Sequence, residues 1–211
     1  MNVYQHPSEL ERCIGELRKD LLRAEGPQIS TVRNYNFAIL PYAPDHEFKL
    51  RRELNHLCAD LRDAGWATGI IPLHSLLLDR LRAEGPEFIE AMIQREKRLA
   101  GANDPWRGLN SLKERVVSLI EGPTGLAADV IREVNRILDE NPDSERTVIF
   151  LGRAGALYPF FRTSSLLKHV AGHTRNVPVV LLYPGRVDDD GGLSFMGILP
   201  ADRDYRPRIY R

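Results

Sequence analysis

Two short runs of branched apolar residues constrain this chain most: Thr147-Val-Ile-Phe-Leu151 ahead of Gly152, and Val177-Pro-Val-Val-Leu-Leu-Tyr183 ahead of Pro184-Gly185. Each has the length and residue type of a strand buried on both faces, as in a parallel sheet. Each stops at glycine or Pro-Gly, where a strand turns at the sheet's carboxyl edge. Asn36–Pro41 and Ala67–Pro72 read as two further strands, and helical patterns separate all four. The order predicts an α/β fold, a mostly parallel open sheet flanked by helices, built through right-handed crossovers. In such sheets, ligands and partners dock at the carboxyl edge.

The 211 residues suggest one domain, 1–211, with a helical segment at about 86–141. Apolar residues make up 43% of the chain, enough for a sizeable core. The 29 basic and 29 acidic side chains cancel, which removes the electrostatic footprint expected of a sequence-independent nucleic-acid binder. Cys13 and Cys58 each fall in the apolar stripe of a helix and read as buried free thiols, not a disulfide or zinc framework. Met1 to Gln5 carries no charge and leads into no apolar run, and no window is long enough to span a membrane, so a cytoplasmic protein is expected.

Along the chain, Ser8 and Glu11 form a capping box, and Leu10, Cys13, Ile14, Leu17 and Leu21 keep a helical period towards Gly26-Pro27. Asp45 is expected to cap a second helix with Leu50, Leu54, Leu57, Cys58 and Leu61 inward and Gly65 as its stop. Ser75 opens a leucine-rich helix. Within the helical middle, 101–110 reads as a polar loop holding Trp106, and Ser111 as the cap of the next helix. A helix is expected from about Tyr158 to Val170. Pro184 to Gly192 reads as a turn, Leu193–Leu199 as a hairpin partner, and Tyr205 to Tyr210 as an edge strand, since Pro207 fits an edge.

No motif makes this an enzyme. A phosphate-gripping loop needs bracketing glycines and then Lys-Ser/Thr. The first strand is followed by Tyr42-Ala-Pro-Asp-His-Glu47, with two acidic groups where phosphate would sit. The Gly152-Arg-Ala-Gly155 turn could present Arg153 and Arg162 to an anion at the following helix, but a tight strand-to-helix turn is the favoured reading. Asp188, Asp189 and Asp190 lack a distant acidic partner and read as a solvated turn. His169 and His173 are four apart, yet Gly172 interrupts them and no helical glutamate accompanies them. His74 beside Asp79 is an acid–base spacing common by chance. No nucleophile elbow is present, and neither cysteine has a base beside it. No cofactor and no metal is expected. Tyr205-Arg-Pro-Arg-Ile-Tyr210 interleaves aromatic and basic side chains, and a docking strand or plain sheet edge is preferred over stacking on nucleic acid.

The run Leu151-Gly-Arg-Ala-Gly-Ala-Leu-Tyr-Pro-Phe-Phe-Arg162 resembles the signature of the BrxB family of BREX phage-defence systems. Val179–Gly185, Leu193–Gly197 and Tyr205–Tyr210 follow in that family's order. The resemblance implies a cytosolic component of a system that also holds a methyltransferase, a large ATPase and the phosphatase-like protein PglZ. It implies no catalytic residues. The strand-then-glycine pattern is also similar to the late strands of P-loop ATPases, which suggests a degenerate P-loop/RecA-like sheet without the lysine loop. The expectation is a non-enzymatic adaptor that binds another BREX protein, PglZ first. Its docking surface is placed at Arg153, Tyr158, Arg162, Tyr205, Arg206 and Tyr210, a Tyr-Arg composition typical of interface anchors. The alternative is a nucleotide- or nucleic-acid-binding subunit using the Gly152–Gly155 turn or the basic C-terminus.

Overall fold

The four apolar runs form parallel strands: β1 (Phe37–Tyr42), β2 (Ala67–Pro72), β3 (Thr147–Gly152) and β4 (Val179–Val187). The computed structural model describes residues 8–29, 36–100, 105–141, 143, 146–161, 163–170, 172–203 and 207–211. Two short strands complete the sheet, β5 (Leu193–Phe195) antiparallel to β4, and β6 (Arg208–Ile209) parallel to β1. The order is β2-β3-β4-β1-β6, with β5 off this path. The central pairs run in register, Ile39 beside Leu181 and Ile149 beside Val179.

The helices are α1 (Glu9–Leu21), α2 (Glu47–Asp63), α3 (Leu73–Ala83), α4 (Pro86–Ala100), α5 (Pro105–Ile120), α6 (Leu126–Glu140) and α7 (Thr163–Val170). The pleat sends alternate strand residues to opposite faces, and both are apolar because both are covered. Ala38, Leu40, Tyr42, Val148, Phe150, Val180 and Leu182 form one core with the stripes of α1 and α2. Phe37, Ile39, Ile149, Leu151, Val179 and Leu181 form the other with α3, α5, α6 and α7. The chain leaves β1 over the first face to the far edge and returns through β2, β3 and β4 over the second. That reversal opens a crevice above β4, between the carboxyl ends of β3 and β1.

Several boundaries differ from the sequence expectation, each for a local reason. α1 ends at Leu21, because the Asp20 carbonyl accepts from Gln28 N–H at 2.9 Å and turns the chain back well before Gly26. Asp45 lies in a 3₁₀ turn, Pro44–His46, and does not cap α2. α3 begins at Leu73, directly off β2, ahead of Ser75. α5 begins at Pro105, a first-turn proline. Trp106 is therefore helical, and Ser111 lies mid-helix, its Oγ accepting from Arg95 Nε at 2.6 Å. α7 begins at Thr163, because a 3₁₀ turn occupies Ala154–Leu157 ahead of it. β4 continues through Pro184-Gly185, where a turn was expected. Pro184 is its last residue beside β1, and at Gly185 it exchanges that partner for β5. A Cβ at Gly185 would lie 2.2 Å from the Ser194 carbonyl oxygen, so only glycine lets the two backbones meet there.

The capping box of α1 closes as its residues require. Ser8 N–H donates to Glu11 Oε2 at 2.7 Å, and Lys49 Nζ of α2 lies 2.9 Å from Glu11 Oε1. The lysine's hydrogen bond, followed by the Ser8 amide, lowers the Glu11 carboxyl to about 2. A depressed carboxyl contributes stability above its ordinary value of about 4.5 and loses it as pH falls towards about 2. Relative to the intrinsic rate at each pH, the protection of the first-turn amides of α1 is therefore expected to fall below pH ~4.5 in the native protein, and Glu11→Gln is expected to flatten that dependence.

Candidate functional site

At the carboxyl end of β1 the chain passes through Pro44–His46 into α2, so Glu47 is the first residue of that helix. A helix start presents free N–H groups and positive potential, and a carboxylate there is favoured. Glu47 is also the hub of the crevice. Tyr42 O–H donates to Glu47 Oε2 at 2.5 Å, while Arg51 Nε and Arg153 Nη1 approach Oε1 at 3.2 and 3.4 Å. Arg153 comes from the end of β3, so this pair spans the crevice above β4. Burial and the Glu47 hydrogen bond push the Tyr42 phenol up, which keeps it a neutral donor.

Arg153 itself takes the left-handed conformation, φ 61°, in a turn where the flanking glycines were expected to supply that freedom. Gly152 and Gly155 both keep negative φ or extended backbone, and Gly155 instead allows close approach of Met196 Sδ and Pro184. A non-glycine residue held in αL carries backbone strain, and Arg153 shares that conformation with Arg175, Asn176 and Met196. Next to Glu47 in the first turn of α2, Phe48 is 79% exposed with the Arg51 guanidinium 4.9 Å over its ring. Phe48 lies off the apolar stripe that begins at Leu50, and that displacement was the overlooked signal in the sequence.

Tyr158 is half-buried, with its ring 6.4 Å from that of Phe195 on β5. Tyr210 is buried at 1% exposure, and its hydroxyl donates to Asp20 Oδ2 at 3.2 Å. Asp20 is buried too, and it also holds Arg23 and Arg208, each at 2.7 Å. The Arg208 guanidinium lies 4.6 Å over the Tyr210 ring. Tyr210 thus fastens the chain to α1 and presents no surface to a partner. Arg162, Tyr205 and Arg206 lie outside the described residues.

A cleft of about 600 Å³ opens beside the ends of β1 and β4, lined by Cys13, Tyr42, His46, Arg186, Asp188 and Arg211 among others. Its mixed charges single out no ligand. Burial pushes the Cys13 and Cys58 thiols up, as inert core thiols require. Among the described residues His74 Nδ1 has no hydrogen-bond partner, and Asp79 accepts from Arg82, so the two form no pair. His169 and His173 line a groove beside α6 with Lys168 and Arg136. Asp188 accepts from Gly192 N–H, and Asp190 pairs with Arg203, as turn residues do. Among the described residues, no cluster of His, Cys, Asp or Glu suits a metal ion, and no helix is long and apolar enough to cross a membrane.

No curated protein and no solved structure is detectably similar to the chain. A family model described as BREX protein BrxB matches residues 70–209, from β2 to β6. The match takes in Arg153 and Tyr158 and begins after Glu47, Phe48 and Arg51.

Proposed function

Since the chain belongs to the BrxB family, a component of BREX phage-defence systems, we propose that it is a non-enzymatic adaptor that docks another BREX protein, PglZ first among them. It works in the cytoplasm as one α/β domain, a degenerate P-loop-like sheet whose nucleotide function is gone. The observation that carries this reading is the exposed Phe48–Arg51 pair beside the Glu47–Arg153 bridge, at the edge where open sheets bind. Aromatic and arginine side chains dominate interface anchors, because they bury large area and still satisfy polar groups.

The same geometry weighs against nucleotide. The first turn of α2 after β1 is the place for phosphate, and the chain's own Glu47 carboxylate stands there, held by Tyr42, Arg51 and Arg153. An incoming triphosphate would have to displace or face that charge. Docking uses Arg153, Tyr158 and Phe48, with Arg162, Tyr205 and Arg206 as further candidates.

Co-purification with each neighbour-encoded protein tests the reading. PglZ is expected to be retained by the wild type and lost by the Phe48→Ala, Arg153→Glu double variant. Retention by both, or a thermal shift of the isolated chain with ATP and magnesium, would count against it.

A further inference from the structure

The Glu47 hub has its negative charge engaged and keeps positive charge to spare. Tyr42 O–H donates to Glu47 Oε2 and both guanidiniums approach Oε1, so each carboxylate oxygen is taken. An arginine presents a planar fork of N–H donors. Among the described residues, Arg51 and Arg153 each spend a single N–H, on Glu47, at 3.2 and 3.4 Å. Both reach the same oxygen, so the two guanidiniums stand side by side. Their side chains are 40% and 39% exposed, against 24% for Glu47. The charges that bear on the Tyr42 hydroxyl are those of Glu47, Arg153 and Arg51, two cations against one anion, and the phenol itself stays neutral. Arg51 also lies over the exposed Phe48 ring, so the surplus positive charge adjoins an apolar surface.

Resting on the docking reading above, we propose that the partner element received here presents an aspartate or glutamate carboxylate beside an apolar side chain. The carboxylate lies across the outer N–H groups of Arg51 and Arg153, and the apolar side chain covers Phe48. A guanidinium fork matches a carboxylate in plane and spacing, and burying the two together leaves neither charge unpaired. A basic partner would find the Glu47 oxygens taken and two cations facing it. A wholly apolar partner would strip water from both guanidiniums and give them nothing in return. One carboxylate cancels the one surplus charge. A phosphate dianion would instead leave net negative charge packed against Glu47, so the occupant is a protein acid and not a phosphoryl group.

Two measurements on the full chain test this. Side-chain NMR during titration with acetyl-Asp-Phe-amide is expected to shift the Arg51 and Arg153 Nε–H signals and the Phe48 ring, while acetyl-Asn-Phe-amide leaves them in place. Equal response to both peptides, or to neither, overturns the carboxylate occupant whatever PglZ does. Calorimetry against PglZ then reads the sign of the charge effect. Glu47→Gln, which adds one net positive charge, is expected to tighten the complex about threefold, and Arg51→Gln to weaken it about tenfold and flatten its salt dependence. Phe48→Ala weakens binding and keeps the salt dependence. Weakening by Glu47→Gln with no effect of Arg51→Gln would assign a basic partner and overturn the proposal. Stronger competition by inorganic phosphate than by sodium chloride at matched ionic strength would assign a phosphoryl group and overturn it equally. A selective response to the acidic peptide without any binding of PglZ would remove PglZ as the partner and leave the carboxylate site standing.

Discussion

Tyr210→Ala is expected to lower the unfolding free energy by about 3–5 kcal/mol, the range for losing a large buried aromatic side chain. The ring is among the largest fully buried side chains and closes the core between α1 and the sheet. Its removal leaves a cavity and takes one donor from Asp20, itself 3% exposed. Tyr210→Phe keeps the ring and removes only the hydroxyl, so about 1–2 kcal/mol is expected. Urea unfolding followed by circular dichroism separates the two. A docking tip exposed to solvent would change stability by no more than about 0.5 kcal/mol on truncation. A near-zero effect would therefore contradict the burial of this motif.

Asp129→Ala is expected to cost about 2–4 kcal/mol, the scale for breaking a buried ion pair whose cation keeps other acceptors. Asp129 sits in the first turn of α6 and is buried; Arg80 Nε of α3 reaches it at 2.6 Å, and Arg132 pairs with it as well. Arg80 also donates to the carbonyls of Leu119, Thr124 and Gly125, so one guanidinium ties α3 to the end of α5 and the start of α6. Those carbonyls and the partly exposed Arg80 keep the loss below that of a wholly stranded charge. The accompanying sign is faster amide exchange across 119–130, with the strands unaffected.

Much of the fold was legible because strand signals here are local. The runs at Ala67–Pro72 and Thr147–Leu151 are apolar, branched and stopped by Gly or Pro, and no tertiary contact was needed to read them. Element starts were harder. Asp45 and Ser111 have the chemistry of caps, but α2 begins after a 3₁₀ turn, and Ser111 is taken by Arg95, sixteen residues earlier. β4 runs past Pro184-Gly185 because β5 waits there, and pairing between distant segments leaves no local mark.

The candidate site divides along the same line. Arg153 was legible from the Gly-Arg-Ala-Gly turn, though the left-handed residue proved to be the arginine and not a glycine. The Glu47 hub depends on β1 and β3 ending one strand apart, which only the sheet order reveals. Tyr210 misled for a related reason. An aromatic between arginines looks like a surface motif until Asp20, 190 positions away, is seen beneath it.

On the proposed reading, the carboxyl edge around Glu47, Phe48 and Arg153 grips a protein and not a phosphate. Titration calorimetry of the purified chain against purified PglZ tests it most directly, comparing wild type with Phe48→Ala, whose 79% exposure makes the fold indifferent to the change. Measurable binding by the wild type is expected, with at least a roughly tenfold weaker complex for the variant, the loss of one interface anchor. Equal affinity of the two proteins for PglZ would contradict it.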